Sequence, residues 1–283
     1  MTVIYDPTEH YEINLLEEVY RLGQDGNWSA RIYQPQGDGP FPVLLDVHGG
    51  AWSTGSYLNN EDIDRALAAS GILVVAIEFR QAPQHVYPAQ VADVNFGTRW
   101  LKKRAADFGG DPTSVGALGT SSRGHSLMLS VLKPNDTRYK VEPLEGNPVT
   151  DATVRYVITG WPVLDSHARY IYAKNSGIKR LMKSSENYFG DEETMREGNP
   201  QLVLERGEQT ALPPVLILQG TKDDNIPLEI SERFVKTYQS IGGDIKRMLF
   251  PDMPHAFTRE PGPETDQAVD LMKTFIAQQL KKR

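Results

Sequence analysis

The chain has 283 residues, of which 39% are hydrophobic and 24% charged, with a net charge of -7 at pH 7 and no cysteine. Its length and apolar content suffice for a large core, with one α/β domain the first expectation, although length alone also permits two. The lack of cysteine excludes disulfides, thiolate catalysis and cysteine-bound metals, and the interspersed acids and bases argue against a nucleic-acid surface or a polybasic membrane patch.

The opening MTVIYDPTEHYEINLLEEVY has early acids and no long apolar core, so neither a signal peptide nor a transmembrane segment is expected, and a cytoplasmic location is the default. Between Asn14 and Gln34, the runs LLEEVYRL and WSARIYQP flank GQDGN, which predicts a β-hairpin. After a break at Gly37 to Pro42, PVLLDV at Pro42 to Val47 and ILVVAIEF at Ile72 to Phe79 are compact apolar runs, expected for strands covered on both faces. Asn60 to Ser70 and Val91 to Ala106 fit helices, and GGDP at Gly109 to Pro112 is a turn lacking the lysine and spacing of a phosphate loop. Further strands are expected before Ser121, at Thr153 to Ile158, Val215 to Leu218 and Lys246 to Phe250, and helices at Leu228 to Ile241 and Glu264 to Leu280. Strands alternating with helices imply a mainly parallel central sheet with helices on both faces. Residues 161–212, rich in Tyr, Lys and Glu, break that alternation, and are read as an inserted cap over the strand ends, or as extra helices covering the sheet edge.

Chemistry concentrates at strand ends. Val115 to Leu129, VGALGTSSRGHSLML, reads as a strand, a tight turn holding Thr120, Ser121 and Ser122, and a helix. A serine at such a turn is exposed as a nucleophile, with the usual pattern Gly-x-Ser-x-Gly; here Gly119 and Ser121 fit, but the fifth position is Arg123 and glycine follows only at Gly124. Acyl transfer by serine also needs a base, an acid to orient it and donors for the oxyanion. LILQGTKDDNIP places Asp223 past one predicted strand, with Asp224 and Asp252 as alternatives, and MLFPDMPHAF places His255 past another. DVHGGAW supplies Gly49, Gly50 and Ala51, which with the amide of Ser122 are the oxyanion-hole candidates. His48 is expected to orient that loop, Trp52 either to line a substrate pocket or to pack in the core, and Glu78 and Arg80 to form a structural ion pair. His85, His125 and His167 lack metal-ligand spacing, and no metal or cofactor is expected. Lys102, Lys103 and Arg104, and the C-terminal Lys281 to Arg283, read as solvated.

HGGAW at His48 to Trp52, EFRQAPQHVYPA at Glu78 to Ala89, FGGDP at Phe108 to Pro112, GTSSRGH at Gly119 to His125, GTKDDNIP at Gly220 to Pro227 and PHAF at Pro254 to Phe257 occur in this order. In these pieces the chain resembles the hormone-sensitive-lipase-like branch of α/β-hydrolase esterases, with likeness to feruloyl esterases and arylformamidases. The resemblance implies a single α/β-hydrolase domain over residues 1–283, Ser121 rather than Ser122 as nucleophile, and Asp223 rather than Asp224 as the triad acid. It implies hydrolysis of small-molecule carboxylic esters without a cofactor, and amides, formamides or carbamates are the alternative. Oligomeric state is left open. Such families carry glycine in place of Arg123. Either the elbow is remodelled so that Arg123 reaches solvent or a carboxylate, or catalysis is impaired and the chain is a ligand-binding protein.

Overall fold

The computed structural model describes residues 3–23, 26–146 and 150–282. Its centre is an eight-stranded sheet formed by β1 (Ile13–Gly23), β2 (Gly26–Pro35), β3 (Val43–Val47), β4 (Leu73–Ile77), β5 (Gly116–Thr120), β6 (Val157–Gly160), β7 (Val215–Gly220) and β8 (Ile245–Phe250). The spatial order is β1-β2-β4-β3-β5-β6-β7-β8. The β1–β2 hairpin runs from Ile13 opposite Pro35 to Gly23 opposite Gly26, and its expected turn residues Gln24 and Asp25 lie outside the described residues. β2 is antiparallel to β4, and every neighbour pair from β4 to β8 is parallel.

All five residues of β3 and of β4 are buried, because helices cover both faces of the sheet. Val43, Leu45, Val47, Val75, Ile77 and Ile217 point to one side, against α2 (Ala89–Arg104), α3 (Ser122–Leu132) and α8 (Leu228–Ser240). Leu44, Val74, Ala76, Leu118, Ile158 and Leu216 point to the other, against α1 (Glu61–Ala69) and α9 (Pro263–Lys281). After β3 the chain builds β4 on one side, then returns to build β5 on the other. The loops after β3 and β5 thus diverge, leaving a crevice at the carboxyl ends of these two neighbours, where ligands of open α/β sheets bind.

One strand is displaced from its expected place. Thr153 to Ile158 was the apolar stretch, but β6 is Val157–Gly160, paired from Ala117 opposite Val157 to Thr120 opposite Gly160. The ladder follows β5 to its end, so the polar Thr159 and Gly160 are recruited by their partners.

Between β6 and β7 lie four helices, α4 (Ser166–Asn175), α5 (Lys179–Phe189), α6 (Glu192–Glu197) and α7 (Pro200–Glu205). Asp165, Asp191 and Asn199 cap three of them, accepting from Ala168, Thr194 and Leu202 amides respectively. The aromatics Tyr170, Tyr188 and Phe189 turn inward and form a third core with Trp52, Val163 and Ile226. Among the described residues, no helix is long and apolar enough to cross a membrane.

Candidate active site

β5 ends at Thr120 and α3 begins at Ser122, leaving Ser121 alone in the turn at φ 54° and ψ -125°. A non-glycine residue held there costs about 1–3 kcal/mol and persists only where its surroundings impose it. Here the Ser121 amide donates to the Gly160 carbonyl (2.8 Å), and its own carbonyl accepts from Val163 N–H (3.1 Å). The close approach that needs glycine falls at Gly124, where a Cβ would stand 2.6 Å from Pro162 Cβ.

The loops after β7 and β8 bring Asp223 and His255 to this turn. Ser121 Oγ is 3.0 Å from His255 Nε2, and His255 Nδ1 is 3.0 Å from both carboxylate oxygens of Asp223. The nitrogen facing the carboxylate carries the proton, so Nε2 presents its lone pair to the serine. The Asp223 side chain is wholly buried, and its Oδ1 also accepts from the amides of Asn225 and Ile226, both at 2.9 Å. The alternatives Asp224 and Asp252 are exposed and pair with Arg180 and Lys222 respectively.

The glycine loop sits against the elbow: a Cβ on Gly49 would lie 3.3 Å from Ser121 Cβ. The Gly49 amide, expected in the oxyanion hole, instead donates to Thr120 Oγ1 at 2.8 Å, which removes it from the available donors. The amides of Gly50 and Ala51 have no hydrogen-bond partner among the described residues, and Ser122, first in its helix, has no intrahelical acceptor for its own. At Gly50, φ is 142° and a Cβ would meet the Thr54 carbonyl at 1.8 Å, so only glycine fits. His48 is buried, donating from Nδ1 to Gly49 O (2.8 Å) and stacking on Phe79 at 4.5 Å. Burial pushes its pKa down to about 3, so the ring is neutral.

Trp52 is no pocket wall. It is completely buried, stacked on Tyr188 (centroids 5.3 Å apart, planes at 6°), because α5 presses against the loop that carries it. His125 donates from Nε2 to Gly198 O (2.7 Å) while Nδ1 faces Trp52 Nε1 (3.4 Å), which fastens α3 to the segment between α6 and α7. His167 pairs with Glu192. The expected Glu78–Arg80 pair is absent: Arg80 bonds Asp93 on α2 (2.7 Å), while Glu78 accepts from the Tyr57 amide, since Asp93 is the acid that the strand-to-helix crossing brings beside Arg80. Lys102 and Arg104 are not free in solvent but bonded to Asp151 and to Glu18 and Asp107.

Arg123 does not take either partner expected of a remodelled elbow. The elbow is intact, and the side chain, fully buried, reaches neither solvent nor a carboxylate. Its Nη1 donates to Ser122 Oγ (2.9 Å), its Nη2 approaches the Thr54 carbonyl (3.4 Å), and its guanidinium lies 4.9 Å from the Phe79 ring centre. Neutral oxygens and a ring face stand where an acid would, and Nε has no hydrogen-bond partner among the described residues. Burial pulls its pKa down to about 9, which leaves it charged at neutral pH.

Three residues escaped the sequence reading. Thr120 holds the Gly49 amide, Gln90 donates to the Trp52 carbonyl (2.6 Å), and Asn60 links Asp46 Oδ1 (2.8 Å) to Thr120 Oγ1 (3.5 Å). Each acts on backbone or on another polar side chain far away in sequence, which no motif records. Beside the glycine loop opens a cavity of about 500 Å³, lined by Gly50, Thr54, Asn59, Asp62, Thr258 and Arg259 among others.

A mainly parallel sheet of this order, with a serine elbow after β5, defines the α/β-hydrolase fold. The chain belongs to the BD-FAE family, whose model matches residues 31–238. It is similar to esterase LipC of Mycobacterium tuberculosis, 28% identical over 246 residues that make up 84% of this chain and 59% of that protein. A probable isoprenylcysteine alpha-carbonyl methylesterase of Arabidopsis thaliana is 26% identical over 81% of this chain and 49% of its own length. The chain thus spans about half to three-fifths of these two curated relatives. Among solved structures, the propionate-bound esterase 2 of Thermogutta terrifontis aligns with TM-score 0.75 and 22% identity, covering 95% of this chain and 94% of that one. An esterase of Pyrobaculum calidifontis aligns with TM-score 0.75 and 20% identity, covering 94% and 85%.

Proposed function

We propose that the chain hydrolyses carboxylic esters of small molecules through Ser121, His255 and Asp223. The observation that carries this reading is the unbroken line of hydrogen bonds from Ser121 Oγ through both nitrogens of His255 to the buried Asp223. The esterase names of the relatives add weight to ester over amide as the bond cleaved.

In this mechanism Ser121 Oγ attacks the ester carbonyl while its proton passes to His255 Nε2. Asp223, accepting from Nδ1–H, fixes the tautomer and stabilises the imidazolium. The amides of Gly50, Ala51 and Ser122 receive the negative oxygen of the tetrahedral intermediate, each donor contributing a factor of about 10²–10³ in rate. The intermediate collapses as the imidazolium gives its proton to the departing alcohol, leaving an acyl-serine. Water, deprotonated by the same nitrogen, then releases the acid and restores Ser121.

The test is hydrolysis of a short p-nitrophenyl ester by the parent chain and by Ser121→Ala. The parent is expected to turn over and to be labelled by a fluorophosphonate, the variant to do neither. Equal rates in both would sink the assignment, and a matched amide run alongside decides between the two bond types.

A further inference from the structure

The Gly50–Thr54 loop has three successive residues at positive φ: Gly50 (142°), Ala51 (50°) and Trp52 (59°). For Ala51 and Trp52 this is a conformation that L side chains resist, kept only where surrounding contacts over-determine it. Those contacts can be named. The Trp52 amide donates to Ser122 Oγ (3.1 Å), and the Trp52 carbonyl accepts from Gln90 (2.6 Å) and from the Ala82 amide (3.0 Å). Ser53 and Thr54 amides both fold back onto the Gly50 carbonyl.

Arg123 joins this loop to the elbow directly at the Thr54 carbonyl and indirectly through Ser122 Oγ. It donates to Ser122 Oγ, the same oxygen that receives the Trp52 amide, and it reaches the Thr54 carbonyl at the far end. Its guanidinium also stacks over Phe79, whose ring packs on His48 at the loop's beginning. Holding a loop shape alone does not call for a charge. A buried cation with no acid in contact, and only Glu78 acting on it from further away, is costly, and an apolar side chain of similar volume would fill the space more cheaply. The cost is understandable where negative charge develops nearby, because a fixed cation in a dry site stabilises an oxyanion strongly and a neutral ester hardly at all.

We infer that Arg123 is a positioning residue for the oxyanion-binding amides, clamping the Gly50–Thr54 loop onto Ser122 and holding positive charge behind it. This rests on the esterase reading above. On this account the arginine does not impair the elbow: it is the part that sets the spacing between the free amides of Gly50 and Ala51 and that of Ser122, and its effect belongs to the transition state.

The experiment compares the parent chain with Arg123→Gly, Arg123→Met and Arg123→Lys on a short p-nitrophenyl ester, with circular dichroism to establish folding. A trifluoromethyl ketone, which adds Ser121 as a tetrahedral oxyanion, reports the transition state, and the corresponding carboxamide reports ground-state binding. The Gly and Met variants are expected to lose about 10²-fold in kcat, with KM and carboxamide affinity within about threefold and ketone affinity falling in step with kcat; Lys is expected to fall between. Ser122→Ala, which keeps the amide but removes the shared oxygen, should show the same signature and decides the matter if the Arg123 variants do not fold. A folded glycine variant as fast as the parent overturns the inference, and so does a fall in kcat with ketone affinity unchanged. A parent chain that hydrolyses no ester and takes no fluorophosphonate label overturns the proposed function and this inference together, whereas an active parent with indifferent variants overturns this one alone.

Discussion

His255 Nδ1 stands 3.0 Å from each oxygen of Asp223, and of the two side chains that of Asp223 is fully buried while that of His255 keeps 15% exposure. The carboxylate is therefore fixed by its surroundings and the imidazole by the carboxylate. In Asp223→Asn an amide group would confront Nδ1–H and favour the tautomer that turns a proton toward Ser121. The expected loss in kcat is about 10⁴-fold, with the fold retained. Steady-state kinetics beside Ser121→Ala measures it, and a loss under tenfold would move the acid elsewhere.

Gly124 marks the tightest contact of the elbow helix. In Gly124→Ala the new methyl group would meet Pro162 Cβ at 2.6 Å and Pro162 Cα at 3.1 Å, neither of which can swing away. Overpacking of this kind costs about 1–3 kcal/mol. Urea unfolding should reveal a midpoint shifted down at unchanged slope, and activity should fall with it because Pro162 immediately precedes Val163, which holds the Ser121 carbonyl.

Beneath the glycine loop two carboxyl groups are buried together. Asp46 holds Asn60 with one oxygen and has no partner for the other, and neither oxygen of Asp64 is bonded. Burial pushes Asp46 up to about 7, and burial together with the Asp46 and Glu61 charges pushes Asp64 well above the usual carboxylate range. An acid raised in the fold binds more protons there than in the unfolded chain. Its contribution to stability is thus complete below the ordinary carboxylate range and is lost as pH rises through about 7. Asp64→Asn removes one such carboxyl, so its Tm at pH about 8 should exceed the parent's by about 2–4 °C for each kcal/mol relieved, the gain fading toward pH about 4. Calorimetry across that range tests the sign. A variant equally destabilised at both ends would mean that the pair is held by something other than a proton.

The cavity beside the loop touches Gly50 and Thr54 but neither Ser121 nor His255, and an acyl-chain series tests whether it receives the acyl group. It measures about 500 Å³, and Asn59, Asp62 and Arg259 stand among its walls. A long alkyl chain there would desolvate those groups without pairing them. Across p-nitrophenyl esters from acetate to decanoate, kcat/KM should be greatest for the short acyl groups and fall by at least about tenfold for the longest, one lost charge-assisted hydrogen bond being worth about that much. A profile rising with chain length would place the acyl group elsewhere.

The central strands were legible because each is buried on both faces, so VLLDV, LVVAI and VLILQG read as largely apolar runs, interrupted only at Asp46 and at the closing Gln219 and Gly220. β6 was misplaced because its last two residues are chosen by the length of β5 rather than by their own hydrophobicity. The motifs led to Ser121, Asp223 and His255 as neighbours, since strand ends converge in a parallel sheet. They could not reveal that Thr120 occupies the Gly49 amide, because that contact depends on the register of β3 against β5. Nor could they place Arg123, whose partners are a hydroxyl, a carbonyl and a ring; searching a sequence for opposite charges finds none of these. Arg80 was paired with the nearest acid in sequence, while the fold supplied Asp93, thirteen residues on.

Helices α4 to α7 are bolted to the carboxyl end of the sheet through the Trp52–Tyr188 stack and the His125–Gly198 hydrogen bond. Lipases that wait for an oil surface have a covering segment free to swing aside; here such a swing would unstack an aromatic core and strand a buried imidazole. Rates on a sparingly soluble ester should therefore follow ordinary saturation straight through its micelle-forming concentration, with neither a lag nor a jump at the interface.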